Sequence, residues 1–251
     1  MPLEKKLRII ENEKIAADTF RLKLSLEGAR GLALRPGQFA DIAVPGFSLR
    51  RPISFCGWDD SSVSFAYRIA GEGTAALSRM KSGELSALLP CGNGFDAAKG
   101  FCEQQPRVLV IGGGVGCAPL MPLVKELKEL GARPEVVFGF RDRTQTLFEE
   151  ELAQLGIAAR FAYDSEGRTA VDVMKEEGLT ELRFFCCGPA RMMRAVCEAG
   201  SAGGQCSLET RMGCGFGACV GCSVKLKDRM ARVCKDGPVF EKEEIVWQNL
   251  L

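Results

Sequence analysis

The chain has 251 residues, 46% hydrophobic and 26% charged, enough to build a core shared by two or so domains. A formal net charge of +1 leaves no global field to recruit nucleic acid, and the sequence holds no long apolar run of membrane-spanning length. Histidine is absent, which excludes imidazole acid–base work and Ser-His or Cys-His nucleophiles, and no secretory pattern marks the start, so a cytoplasmic protein is the expectation.

Through the first stretch of chain, apolar residues alternate with polar ones at Phe20, Leu22, Leu24 and Leu26, and again at Val63, Phe65, Tyr67 and Ile69. Turn residues interrupt these runs at Arg35-Pro36-Gly37, Pro45-Gly46 and Asp59-Asp60. This pattern predicts a small antiparallel β-barrel, with a short helix over 75–80 after Gly73-Thr74. A polar stretch over 96–106 reads as a linker. Beyond it the period changes. Strands are predicted at 108–111, 136–140, 157–163 and 183–187, alternating with helices at 119–130, 147–155, 170–177 and 191–199. That alternation is the signature of a parallel α/β nucleotide-binding sheet. The fold class is therefore a multi-domain one, α/β plus β: an N-terminal antiparallel barrel over 1–98, a parallel α/β domain over 103–205, and a small cysteine-rich domain over 206–251.

The chemistry concentrates in the last of these. Cys214, Cys219, Cys222 and Cys234 follow the spacing C-x4-C-x2-C-x11-C, and the first three match the plant-type [2Fe–2S] ligand pattern. Gly213, Gly215, Gly217 and Gly221 clear space for thiolates and backbone N–H groups to converge on a small inorganic core. A structural zinc site is the competing reading, although zinc ribbons present two CxxC knuckles where this chain has one. Cys56, Cys91, Cys102, Cys117, Cys186, Cys187, Cys197 and Cys206 stand mostly among apolar or small residues and read as small buried hydrophobes.

Three further segments carry weaker signals. Gly112-Gly113-Gly114-Val115-Gly116 follows a predicted strand and precedes a helix, as a pyrophosphate-binding turn does, but Cys117 replaces the third glycine of the dinucleotide fingerprint. Cys187-Gly188-Pro189 ends the last predicted parallel strand, where such sheets line their ligand crevice. Arg51-Pro52-Ile53-Ser54 joins a guanidinium to a hydroxyl on one predicted strand, and Gly73-Thr74 opens a helix. Each of these alone also fits an ordinary turn, buried thiol or surface arginine.

Their order resembles the ferredoxin–NADP reductase superfamily. With the cysteine motif and the segment Val233-Cys234-Lys235-Asp236-Gly237-Pro238-Val239-Phe240 added, the chain is similar to the electron-transfer subunits of NAD-dependent, type B dihydroorotate dehydrogenases. The resemblance implies that Arg51, Pro52, Ile53 and Ser54 contact FAD, with Arg51 near its pyrophosphate and Ser54 near the flavin ring. It places Arg68, Ile69 and Ala70 along the flavin or its ribityl chain, and Gly73 and Thr74 at the FAD phosphates. Gly112, Gly113, Gly114 and Gly116, with Gly188 and Pro189, would receive NAD(H). Ser54 and Cys187 would be the catalytic residues, Cys187 beside the nicotinamide. Cys214, Cys219, Cys222 and Cys234 would ligate the [2Fe–2S] cluster. The implied partner is an FMN-containing dihydroorotate dehydrogenase catalytic subunit, two of each chain forming a heterotetramer, in pyrimidine biosynthesis. Alone, the chain would act as an NADH-oxidising diaphorase. Two alternatives stay open: the small subunit of an NAD(P)H:ferredoxin or sulfide oxidoreductase, and a zinc-stabilised nucleotide-binding module without redox work.

Overall fold

Apolar alternation closes the first part of the chain on itself. The computed structural model describes residues 2–27, 31–100 and 106–250. Six antiparallel strands, β1 (Leu3–Lys14), β2 (Thr19–Ser25), β3 (Phe39–Ile42), β4 (Arg51–Trp58), β5 (Ser62–Arg68) and β6 (Glu84–Cys91), form a closed barrel in the order β1-β2-β5-β4-β3-β6. Leu22, Leu24, Phe55 and Phe65 fill its interior and are fully buried. The predicted alternation stops one residue early, because β5 ends at Arg68 and Ile69 is left 37% exposed.

Among the described residues, one α-helix belongs to this barrel. α1 (Glu72–Arg79) starts three residues before the predicted position, capped at Gly71. Its C-terminal end is held by a buried polar network. Asn12 on β1 donates through Nδ2 to the carbonyls of Leu77 (2.7 Å) and Met80 (2.9 Å), and accepts at Oδ1 from the Tyr67 hydroxyl (2.9 Å). The network bonds the carbonyls at the helix end and ties that end of α1 to the barrel wall.

The second sheet is parallel where the sequence pattern alternates. β7 (Arg107–Gly113), β8 (Arg133–Phe140), β9 (Arg160–Tyr163), β10 (Phe184–Cys187) and β11 (Gly204–Ser207) pair in parallel, with α2 (Leu120–Glu129), α3 (Glu149–Gln154), α4 (Ala170–Glu176) and α5 (Ala190–Ala199) between them. β9 is shorter than predicted, starting at Arg160 rather than at 157. Within 96–106, Ala97–Gly100 form a 3-10 turn; residues 101–105, and with them Cys102, lie outside the described residues.

The cysteine segment does not stand apart from this sheet. It contains a two-stranded hairpin, β12 (Ser223–Lys225) with β13 (Met230–Arg232), and then returns as β14 (Val239–Glu241), which adds to the sheet antiparallel to β11. The strand order is β14-β11-β10-β7-β8-β9. β11 runs across position 205 and so belongs to the sheet on both sides of it. Asn93, just past β6, ties β14 to the barrel: Nδ2 donates to the Val239 carbonyl (2.8 Å) and Oδ1 accepts from the Val239 N–H (3.1 Å). No helix among the described residues is long and apolar enough to cross a membrane.

Replacing Asn12 with alanine strands the Tyr67 hydroxyl and the Met80 carbonyl in the barrel wall and takes one of two bonds from the Leu77 carbonyl. We expect urea denaturation to show a loss of about 2 kcal/mol, and a loss within error of zero would mean that water takes over these bonds.

Candidate functional site

A cleft of about 310 Å³ runs between the barrel and the parallel sheet. The pleat of β4 builds its barrel wall. Phe55 points inward to the barrel core while Pro52 and Ser54 face outward into the cleft. Ile53 is turned into the core as well, and is only 6% exposed, yet it also touches the cleft. Arg51, Arg68, Ala70 and Thr74 complete this side. Ile69 and Gly73 do not line the cleft but flank it.

Gly73 has a specific steric role. A Cβ there would come within 2.1 Å of Arg51 Nη2, so the missing side chain leaves room for the guanidinium to lie against α1. The same guanidinium stacks over Phe47, 5.1 Å from the ring centre, and donates to the Leu49 carbonyl. Thr74 Oγ1 accepts from the N–H groups of Ala70 (2.9 Å) and Gly71 (3.2 Å), which shapes the turn beside it. A pre-oriented guanidinium beside a helix start is an anion-binding arrangement.

The sheet wall is made by two turns that the sequence keeps about seventy residues apart. In the register of β7 and β10, Gly112 stands opposite Cys187, so the glycine turn and the Cys-Gly-Pro turn emerge side by side. They touch through bare backbone: a Cβ on Gly116 would lie 2.7 Å from the Gly188 Cα, and one on Gly113 would lie 2.9 Å from Pro189 Cδ. Gly116 and Cys187 line the cleft, while Gly112, Gly113, Gly114, Gly188 and Pro189 do not. Cys117, where the fingerprint has its third glycine, is fully buried under Gly112, with its Sγ 2.8 Å from where a Cβ would stand. A small thiol thus does the close packing of turn against strand that a glycine does in the usual motif. Burial, with Glu209 adding to it, pushes the Cys187 thiol up to about 12, so at neutral pH the thiol is protonated where it lines the cleft.

The sequence reading missed the third wall. Ser207 at the end of β11, and Glu209, Thr210 and Met212 between it and the first cysteine, line the cleft, as do Phe39 and Pro238. Thr210 Oγ1 is buried and has no hydrogen-bond partner among the described residues. A buried hydroxyl left unpaired beside a cleft suits a polar atom of a ligand. The signal was present in Glu209-Thr210-Arg211-Met212, immediately upstream of the cysteines, but nothing in its residue types marked it as a wall.

The four cysteines come together in two pairs. Cys214 Sγ accepts from the N–H groups of Ala218 (3.2 Å) and Cys219 (3.4 Å), with the Cys219 thiol alongside. Cys222 Sγ and Cys234 Sγ stand 3.2 Å apart. The eleven residues between this second pair are spent on the β12–β13 hairpin, whose base pairs Ser223 with Arg232 and so brings the flanking cysteines together. An Arg232–Asp236 ion pair (3.0 Å), with Arg232 Nη1 donating to the Gly217 carbonyl (3.1 Å), clamps the two loops to each other. Among the described residues no three His, Cys, Asp or Glu side chains converge as they would around a single ion. Paired sulfurs, with backbone N–H groups aimed at one of them, fit a two-iron core, each iron taking two thiolates, better than one tetrahedral ion. Burial opposes ionisation of Cys214, but the N–H groups of Cys219, Phe216 and Ala218 outweigh it and draw the thiol down to about 6. At Cys234, burial and the neighbouring Cys222 push the thiol up to about 12.

In the iron-free chain, Cys214 should therefore be alkylated by iodoacetamide once pH rises through about 6, with Cys234 untouched at pH 7. Peptide mass mapping across pH 5 to 8 reads this; a Cys214 profile that rises only above pH 8 contradicts the N–H cradle.

Comparison with known proteins agrees with this architecture. Residues 209–246 match the family described as the iron-sulfur cluster binding domain of dihydroorotate dehydrogenase B. The chain is 34% identical over 250 residues to a dihydroorotate dehydrogenase B (NAD(+)) electron transfer subunit of Fusobacterium nucleatum, covering 94% of this chain and 95% of that one. It is 35% identical over 254 residues to the subunit of that description from Caldanaerobacter subterraneus, covering 96% and 98%. Among solved structures, that of an NADH-dependent reduced ferredoxin–NADP oxidoreductase superposes with a TM-score of 0.84 at 26% identity, covering 97% of this chain and 91% of that one. Phthalate dioxygenase reductase shares the fold, with a TM-score of 0.64 at 21% identity over 78% of this chain and 64% of its own. By its barrel, its parallel sheet and its paired cysteines, and by identity sustained over nearly its whole length, the chain belongs to the family of dihydroorotate dehydrogenase B electron transfer subunits.

Proposed function

We propose that this chain carries electrons between NAD(H) and an FMN-containing dihydroorotate dehydrogenase catalytic subunit, using FAD in the cleft and a [2Fe–2S] cluster at the paired cysteines. The reading includes a cytoplasmic heterotetramer with two of each chain. The groups concerned supply two-electron hydride exchange at a flavin and one-electron transfer at a cluster. The chain's own residues supply binding, orientation and exclusion of water.

Arg51, lodged against Gly73 and Phe47, neutralises a pyrophosphate, and Thr74 shapes the turn that receives it. Ser54 and Thr210 offer hydroxyls to a flavin ring from two different walls of the cleft. Gly116 and Gly188 let a nicotinamide approach over bare backbone, and the neutral Cys187 thiol bounds it without competing for the hydride. Cys214 with Cys219, and Cys222 with Cys234, hold the two irons. Cys219 is exposed, and Phe216 and Val220 beside it are 47% and 58% exposed. Apolar side chains standing in water around the electron exit suit a protein partner.

The single observation carrying this reading is continuity. The segment 207–212 is a wall of the cleft and runs directly into Cys214, so one short stretch of backbone joins the flavin pocket to the sulfur centre. Purified without oxygen, the chain should be brown, with FAD and two irons per chain, and NADH should bleach its flavin. Cys219→Ser should lose the iron and electron delivery to the catalytic subunit while keeping NADH reduction of the flavin; a colourless wild-type chain ends the proposal. Gly73→Ala, which forces Arg51 out of its slot, should weaken FAD binding about tenfold, ~1.4 kcal/mol, by fluorescence titration. Unchanged affinity would remove Arg51 from the phosphate site.

A further inference from the structure

Asp41 is a carboxylate in a place that the barrel does not require. It lies on β3, where Ala40 and Ile42 point into the barrel core and Asp41 points out of it. The residue is 1% exposed, and its Oδ2 has no hydrogen-bond partner among the described residues. Arg50 does not pair with it; that guanidinium goes instead to the Asp41 backbone carbonyl (3.3 Å), to Ser86 and to Glu4. Arg50 and Arg51 favour its charge, but a buried carboxyl oxygen without a hydrogen bond is costly unless something outside the barrel meets it.

What lies over it is the first cysteine loop. Gly215, next to Cys214, adopts φ +73, and a Cβ there would stand 2.2 Å from Asp41 Oδ2 and 2.7 Å from its Cγ. The loop thus rests its backbone on this carboxyl, and only glycine permits the approach. Asp41 also pairs in register with Pro52, a residue of the cleft wall. The carboxyl therefore shares the outer face of the barrel with Pro52, next to the cleft, while Gly215 of the cysteine loop rests against it.

We propose that Asp41 is a positioning residue for the cysteine centre: it seats the 214–219 loop on the barrel wall, and its negative charge, facing the loop through Gly215, holds the reduction potential of the bound cluster low. A cluster gains negative charge on reduction, so a nearby anion disfavours the reduced form. The inference rests on the cysteines holding a [2Fe–2S] cluster, as proposed above.

The test is Asp41→Asn in the full chain purified without oxygen, read by iron and flavin content, NADH bleaching, redox titration and electron paramagnetic resonance at pH 8. The expected result is full flavin and iron, normal bleaching by NADH, a midpoint potential displaced to more positive values and an altered resonance line shape. Gly215→Ala, which pushes a methyl group into the carboxyl without removing its charge, should alter the line shape as well. Loss of iron from Asp41→Asn with flavin and bleaching retained also supports the seating role. An unchanged potential and spectrum with iron retained overturns the proposal, as does joint loss of flavin and iron, which would make Asp41 a support of the barrel itself. A wild-type chain without iron fails the cluster reading instead, so the two failures are separable.

Discussion

The antiparallel pairing of β14 on β11 is the constraint on which the site depends. The cysteine segment leaves the sheet at Ser207 and rejoins it at Val239, and these two residues face each other in the ladder. Everything between them is an excursion from one sheet edge, closed at its base by backbone hydrogen bonds. Closing a long loop costs little more entropy than closing a short one, so the fold can insert a hairpin and four thiols here at modest expense. Because the base of the excursion is also a wall of the cleft, the sulfur centre is held beside the pocket by covalent chain on both sides rather than by surface contacts alone. Asn93 adds the barrel to the same junction by bonding both polar groups of Val239.

Within that frame, absent side chains do much of the positioning. Gly116 against Gly188 joins two turns at backbone distance, and Gly73 makes room for the Arg51 guanidinium. Both contacts are between segments far apart in sequence. They leave a cleft bounded on the sheet side by backbone and the Cys187 thiol, with Arg51 and Arg68 on the barrel side and Glu209 close enough to act on Cys187.

Much of the fold was legible because its periods are clean. The two-residue alternation of Leu22 and Leu24, or of Val63 and Phe65, requires a sheet with one buried face, and the strand–helix alternation after 106 requires a parallel sheet. Element ends were less legible. The apolar Ile69 extends a pattern that the barrel does not use, and α1 begins at Glu72 because the turn at Gly71 and Thr74, rather than helix propensity, sets its start. Cys117 looked like a defect in a phosphate-binding fingerprint, but it packs where a glycine would.

Sequence alone singled out the sulfur ligands: ligand spacing is a local property, and C-x4-C-x2-C restricts how three thiolates can meet. It also determined which half is barrel and which is parallel sheet, since periodicity is local too. Tertiary structure decided how these parts share one site. The edge position of β14, the wall made by 207–212, the pairing of Cys222 with Cys234 across a hairpin and the carboxyl of Asp41 beneath Gly215 all depend on contacts between distant segments. A side chain's partner across the fold is set by register and packing, and neither is written in the residues near it.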